Sequence, residues 1–227
     1  ELEDLYNSNE LDILEKKTRK LIDIYPKISV LYNLLGVVSQ KKNNSDKAIL
    51  YLTKAINLQP NFDQAHNNLG NVLKSTGKFK EAISSYRKAI KINSNYAEAY
   101  SNLGNSLSGI GKFEEAIANH QKALKLNPKY KMANFNEAIA RLTLGEFEIG
   151  WKKYEARIGE NSITPMRHPI EKIWDGNYLN GILLVWAEQG IGDHIIFTSM
   201  LSDLKKYAKK IILQIDKRLE NLLIRYF

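Results

Sequence analysis

The sequence predicts a mainly α-helical protein in which a right-handed solenoid of paired helices is followed by the start of an α/β domain. Two observations predict this fold class. Small residues recur every 34 residues through the first two-thirds of the chain, and a fixed period of this length is typical of a helical solenoid. After Gly159 the repeat gives way to short apolar runs that alternate with helical spacing, which is the pattern of an α/β domain.

The repeat is carried by small residues at three positions of each unit. The segments LYNLLGVVSQ, AHNNLGNVLKSTGKFKEAISSYRKAI and AYSNLGNSLSGIGKFEEAIANHQKAL align without gaps. Three positions of the unit carry the same small residue in every copy. They are occupied by Gly36, Gly70 and Gly104, by Ala48, Ala82 and Ala116, and by Ala55, Ala89 and Ala123. Small residues let two helices approach closely, while Leu69, Leu73 and Tyr86 fill the space around them. The pattern resembles the tetratricopeptide repeat, which implies antiparallel helix pairs that stack into a solenoid.

The repeats define the predicted domain organisation. Three complete units are predicted, and they span Ser29–Phe62, Asp63–Tyr96 and Ala97–Tyr130. A partial unit ending at Pro26 precedes them, and a degenerate unit with Gly145 at its turn follows. We therefore expect tetratricopeptide repeats over residues 1–158. Residues 159–181 contain several prolines and glycines and are predicted to be a connector.

A row of asparagines follows the concave face, which the first helix of each unit lines in the family that the repeats resemble. The row consists of Asn68, Asn71, Asn102, Asn105 and Asn136, and Leu34 and Val37 interrupt it in the first complete unit. An asparagine side chain both donates and accepts hydrogen bonds, so the row can hold the backbone of a polypeptide in the groove. A similar asparagine ladder occurs in the repeats of protein O-linked N-acetylglucosamine transferases. The alternative is that these amides bond between repeats or are solvated.

The last part of the chain, residues 182–227, is predicted to begin a Rossmann-like half-domain. Two strands are predicted, ILLVWAE at Ile182–Glu188 and KKIILQID at Lys209–Asp216, and a helix is predicted between them at His194–Ala208. A second helix, KRLENLLIRYF, follows. Two strands are too few for an independent sheet. We therefore expect the chain to be a fragment of a larger protein that stops inside this domain.

The loop after the first predicted strand is the candidate chemical site. Gly190 and Gly192 permit close backbone approach, and the start of the next helix, at His194, can hold an anion. A dinucleotide-binding oxidoreductase is one interpretation, with Asp216 on a ribose, although Ile195 stands where a third small residue belongs. In the other interpretation Asp193 caps the helix and the glycines form the turn.

The order of three segments adds a resemblance. The three segments are, in order, LGEFEIGWKKYEAR, IWDGNYLNG and ILLVWAEQGIGDHIIFTSML. This part of the chain resembles the junction in bacterial proteins that fuse tetratricopeptide repeats to a glycosyltransferase domain. That domain is similar to the family 9, heptosyltransferase-like enzymes of GT-B architecture. The resemblance implies a nucleotide-sugar donor and a general base for the acceptor hydroxyl at Asp193, with Glu188 as a second candidate and His194 beside them. Most donor contacts come from the second half of such a domain, which is absent, so we expect this fragment to be inactive alone.

Composition narrows the alternatives. The net charge is +8, from 33 basic and 25 acidic residues, but the lysines are spread over predicted helix surfaces, so we expect no nucleic-acid partner. The chain has no cysteine, which excludes disulfides and fits a cytoplasmic protein. Its histidines lack metal-ligand spacing, so we expect no metal. No apolar run approaches the ~18 residues of a membrane span.

Two functions follow for this fragment. The first is a peptide-binding scaffold that forms the N-terminal part of a glycosyltransferase and presents a polypeptide or other acceptor. The second is a non-catalytic adaptor for protein–protein interaction.

Overall fold

The computed structural model of the protein describes residues 2–8, 10–154, 177–186 and 201–214. The chain divides into two compact units, Glu1–Met166 and Arg167–Phe227, and each is described by itself. The predicted domain limits at residues 158 and 181 stay a prediction.

The first unit consists of antiparallel helix pairs. The helices are α1 (Leu2–Asn7), α2 (Leu11–Ile24), α3 (Ser29–Lys41), α4 (Ser45–Leu58), α5 (Asp63–Ser75), α6 (Phe79–Ile92), α7 (Ala97–Ser108), α8 (Phe113–Leu126), α9 (Lys131–Thr143) and α10 (Phe147–Tyr154). The pairs α3–α4, α5–α6 and α7–α8 are the three predicted complete units, and α9–α10 is the degenerate one. The solenoid of helix pairs is therefore confirmed.

Each complete unit is closed by a side chain of its second helix that packs on a glycine of its first. A β-carbon at Gly70 would lie 2.5 Å from Cε1 of Tyr86, and one at Gly36 would lie 2.5 Å from Cγ of Leu52. At Gly104 the contacting group is the ring of His120, 2.7 Å from the same ideal position. The repeated alanines of the second helices are fully buried around these contacts. Glycine at this repeated position therefore leaves room for a large side chain of the second helix to pack directly against the first.

The turn between the two helices of a unit requires a left-handed backbone. Gly77, Gly111 and Gly145 have φ of 76°, 78° and 81°, and each lies 34 residues from the next. In the first complete unit the same position is Asn43, with φ of 57°. Asparagine tolerates this conformation better than most residues with a side chain, which explains why the glycine period begins one unit late at the turn.

The partial unit at the N-terminus is tied to the first complete unit by charge. Lys42 Nζ lies 2.6 Å from Asp12 Oδ1 and 2.8 Å from Glu15 Oε2, and Arg19 pairs with Glu15 at 2.8 Å. Hydrogen bonds from Lys42 and Arg19 hold the pKa of Glu15 below its usual value. The ion pairs link α2 to the end of α3, while Leu14 on the opposite side of α2 is fully buried.

The second unit contains two parallel strands. β1 (Leu179–Trp186) pairs with β2 (Ala208–Gln214), and the short helix α11 (Leu201–Leu204) precedes β2 in the chain. Strand β1 begins at Leu179, earlier than the predicted Ile182, because the backbone N–H of Leu179 donates to the carbonyl of Tyr207. The predicted helix ending at Ala208 was wrong at its end, since Ala208 belongs to β2. Assignment of this unit to a Rossmann-like domain stays a prediction.

Gly70→Ala should destabilise the first unit by about 1–2 kcal/mol, because the new methyl group overlaps the Tyr86 ring and overpacking costs more than helix propensity gains. Urea unfolding followed by circular dichroism measures this.

The control is the same substitution in a Tyr86→Ala background. There the overlap is gone and only the gain in helix propensity remains, so Gly70→Ala should become neutral or stabilising. An equal loss of stability in both backgrounds would contradict the packing argument.

Candidate functional site

The inner face of the solenoid is lined by the first helix of each unit. Helix α3 contacts α5, α5 contacts α7, and α7 contacts α9, whereas the second helices α4, α6 and α8 make no comparable contacts with one another. Elements come closest on the inner side of a curved stack, so α3, α5, α7 and α9 form its concave face. Hydrogen bonds between neighbouring first helices join side chains at the second, fifth and sixth positions of the units. The ninth and twelfth positions follow at steps of three residues, so helix geometry places them on the same side of each helix.

Two of the predicted ladder asparagines bond from one unit to the preceding one. Asn68 Nδ2 donates to Asn33 Oδ1 at 2.9 Å, and Asn102 Nδ2 donates to Asn67 Oδ1 at 3.1 Å. Asn67 is buried and its own Nδ2 donates to Glu98 Oε1 at 3.2 Å. These amides therefore connect neighbouring first helices, which is the alternative that the sequence left open for them.

The other three ladder asparagines are placed differently. Asn71 Oδ1 accepts from the hydroxyl of Tyr86 at 2.8 Å, and burial raises the pKa of Tyr86 so that the hydroxyl remains a donor. Asn105 and Asn136 are half-buried and, among the described residues, have no hydrogen bond to another side chain. Their amides are therefore available to a ligand, while the Asn71 oxygen is engaged within its own unit. A peptide-binding role for the whole row stays a prediction.

The middle of the inner face carries one positive and one negative side chain. They are Lys74 and Glu98, the charged residues at the inner-face positions of the four first helices. Desolvation by burial lowers the pKa of Lys74, and the negative charge of Glu98 opposes this shift. Burial also raises the pKa of Tyr130, with Glu98 adding to the effect. The middle of the inner face, called the floor of the groove below, thus carries one positive and one negative charge and is partly shielded from water.

The two ends of the inner face are apolar. At the N-terminal end Val30 is 55% exposed, and Leu34 and Val37 are half-buried. At the C-terminal end Met132 is 45% exposed and Ile139 is 42% exposed. The interruption of the asparagine row at both ends therefore places uncovered apolar side chains on the same face as the central amides.

A buried ionic group lies at the last repeat, where the sequence pattern did not predict one. Glu137 is fully buried, with Oε1 2.8 Å from Arg141 Nε and Oε2 2.9 Å from Lys153 Nζ. Gln121 Nε2 donates to Oε1 at 3.3 Å. The sequence did contain a signal for this group, because Glu137 stands 34 residues after Leu103 and so occupies the repeat position of a buried leucine. The group links α8, α9 and α10 through charge where earlier units use leucine.

The His120 ring that packs on Gly104 is also fully buried, and among the described residues neither ring nitrogen has a hydrogen-bond partner. Desolvation by burial lowers the pKa of His120 to about 4, and the Glu137 carboxylate opposes the shift. A neutral ring is therefore built into the third complete unit.

The residues of the predicted chemical loop lie outside the described part of the chain. These are Glu188, Gly190, Gly192, Asp193 and His194, together with Ile195 and Asp216. Within the described residues, no group of three or more His, Asp or Glu could hold a metal ion. None of the helices in those ranges is both long and apolar enough to cross a membrane.

Comparison with known families identifies the repeats. Models described as TPR repeat or tetratricopeptide repeat match residues 30–62, 51–84, 70–109 and 97–130. No curated protein matches the chain.

Several solved structures share the fold of the solenoid. The crystal structure of MamA is 21% identical, with a TM-score of 0.61 over 68% of this chain and 90% of that one. YrrB, a TPR protein with an unusual peptide-binding site, is 21% identical, with a TM-score of 0.55 over 67% and 78%. The first TPR of Spaghetti, bound to an HSP90 peptide, is 24% identical, with a TM-score of 0.51 over 52% and 94%. At these identities the likeness establishes the fold.

The buried His120 predicts a pH dependence of stability. Its pKa is about 4 in the folded protein and about 6.5 when unfolded, so between these values the unfolded chain binds the extra proton. The free energy of unfolding should therefore fall as the pH drops from about 6.5 to 4, by up to about 3 kcal/mol. Urea unfolding across this pH range measures the loss.

His120→Leu should remove this part of the pH dependence, because the equivalent Leu52 already packs on a glycine. Tyr86→Leu is the matched control in the preceding unit and should leave the pH dependence unchanged. An unaltered acid-induced loss in His120→Leu would exclude His120 as its source.

Proposed function

We propose that this chain, whose residues 30–130 are tetratricopeptide repeats, is a scaffold that binds an extended polypeptide segment of a partner protein in its concave groove. The observation that carries this proposal is the pair of available amides on the inner face, Asn105 and Asn136. A backbone N–H and C=O of a bound peptide match the acceptor and donor of an asparagine side chain.

The neighbouring side chains support the proposal by fixing the groove in advance. Asn68 and Asn102 each bond to the preceding unit, so the floor is ordered before a ligand arrives. A preorganised site loses less conformational entropy on binding. Two structurally similar tetratricopeptide proteins, YrrB and the first TPR of Spaghetti, are peptide binders, which favours the same class of ligand here.

Asn105→Ala together with Asn136→Ala should weaken peptide binding at least about thirtyfold, because at least one hydrogen bond of about 1 kcal/mol is lost at each asparagine. Peptides selected by phage display on the 227-residue chain would be titrated against the wild type and the double variant by fluorescence polarisation. The double variant should unfold at the same urea concentration as the wild type.

The matched control is Asn68→Ala with Asn102→Ala, which removes the inter-unit bonds. That variant should lose about 1 kcal/mol of stability per bond. If the selected peptides bind Asn105→Ala/Asn136→Ala with unchanged affinity, the inner face is not their binding site.

We further propose that the second unit belongs to a glycosyltransferase domain, whose acceptor is the polypeptide that the solenoid binds. Two observations support this. β1 and β2 are parallel neighbours, and parallel strands need a long crossover connection, here residues 187–207. The sequence EQGIGD begins two residues after the last residue of β1, and the carboxyl end of a parallel strand is where such sheets bind ligands. Asp193 is proposed as the general base, and Glu188 as the alternative.

Asp193→Asn in the complete reading frame should depress sugar transfer by about 10²-fold or more, because an amide cannot take the proton of the acceptor hydroxyl. Affinity for the nucleotide sugar should change little, since a base acts on the acceptor. Isothermal titration with nucleotide sugars and a radiolabel transfer assay measure the two effects, and Glu188→Gln is the parallel variant.

The outcomes separate the rival functions. Absence of nucleotide-sugar binding by the complete protein, with peptide binding retained, would favour the non-catalytic adaptor. Binding of a nicotinamide dinucleotide by the 227-residue chain itself would favour the oxidoreductase. Unchanged turnover in Asp193→Asn would remove that residue from the mechanism.

A further inference from the structure

The distribution of polarity along the inner face restricts what the groove can bind. Uncovered apolar side chains occupy its two ends, with Val30 on α3 and Met132 and Ile139 on α9. Between them, α5 and α7 present amides, and their charged inner-face residues are Lys74 and Glu98. A ligand that covers the whole face therefore meets an apolar region, a polar region without net charge, and a second apolar region.

The balance between Lys74 and Glu98 disfavours a charged ligand segment. A charge of either sign would lie close to one like charge as well as one opposite charge. It would also lose water on a floor where burial already lowers the pKa of Lys74, and an incompletely paired charge is costly to dehydrate. Neutral polar groups can instead bond to Asn105, which is available there.

The length of the groove sets the length of the segment. From α3 to α9 the first helices make three successive contacts, and packed helix axes lie about 8–10 Å apart. The two apolar ends are therefore about 24–30 Å apart. An extended chain advances about 3.3 Å per residue, so about eight residues cover that distance.

We propose that the groove recognises an extended, uncharged segment of about eight residues that carries an apolar side chain near each end. This inference rests on the proposed peptide-binding function and specifies its partner. The apolar ends supply affinity by removing surface from water, and the neutral centre rejects charged sequences.

Four eight-residue peptides with capped termini test the proposal, and their binding to the 227-residue chain is measured by fluorescence polarisation. The neutral probe has leucine at both ends and six serine or asparagine residues between them. The acidic and basic probes replace three central residues by glutamate or lysine, and the anchor-free probe replaces both leucines by serine. The neutral probe should bind at least about tenfold more tightly than each of the others. The anchor-free probe loses two leucines, each of which contributes about a factor of ten or more when buried, and the acidic and basic probes must dehydrate charges that are incompletely paired.

Two sets of variants connect each preference to its residues. Val30→Ser and Ile139→Ser should each weaken the neutral probe about tenfold and leave the anchor-free probe unchanged. Glu98→Gln leaves Lys74 as the charge on the floor and should improve the acidic probe relative to the neutral one. Lys74→Met should improve the basic probe in the same way.

Tighter or equal binding of the acidic or basic probe by the wild type would overturn the inference and leave peptide binding intact. The same conclusion would follow if displayed peptides bind the groove but none of the four probes does. Failure of both the displayed peptides and the probes would overturn the proposed function itself.

Discussion

The close packing of one large side chain on one glycine is the contact on which the solenoid depends. Gly36, Gly70 and Gly104 each lie against a side chain of the second helix of their own unit. The contact sets how near the two helices lie, and the buried alanines of the second helix can meet their neighbours at that separation. The residue packed on the glycine differs between units, whereas the glycine does not.

The identity of that packed residue determines which polar side chains are free on the inner face. Tyr86 reaches past its glycine and engages Asn71. The equivalent His120 makes no such bond to Asn105, so one asparagine is structural and its counterpart one unit later is available to a ligand. The choice of side chain at a single position of the repeat therefore links the polar groups of the inner face to the core.

Charge has separate roles in the middle and at the ends of the solenoid. Lys42, Asp12 and Glu15 form exposed pairs at the N-terminal end, where each pair contributes little stability. At the last complete interface Glu137 is buried with its cationic partners, and breaking such a pair is costly because an unpaired charge remains. In the groove between these ends, Glu98 accepts a hydrogen bond from Asn67 and so joins α7 to α5, while its negative charge faces the positive charge of Lys74.

The sequence by itself determined the 34-residue period, the helix pairs and the turns, because helix contacts of fixed geometry require small residues at fixed intervals. It also identified the asparagine row, but the spacing could not distinguish a ligand-facing amide from one bonded to the next repeat. Tertiary structure showed that Asn68 and Asn102 bond to Asn33 and Asn67, which lie 35 residues away in sequence, while a ligand-facing role for the row stays a prediction. It also decided the burial of Glu137 and the strand ends at Leu179 and Ala208. Ion pairing between helices and strand register arise only when distant segments meet.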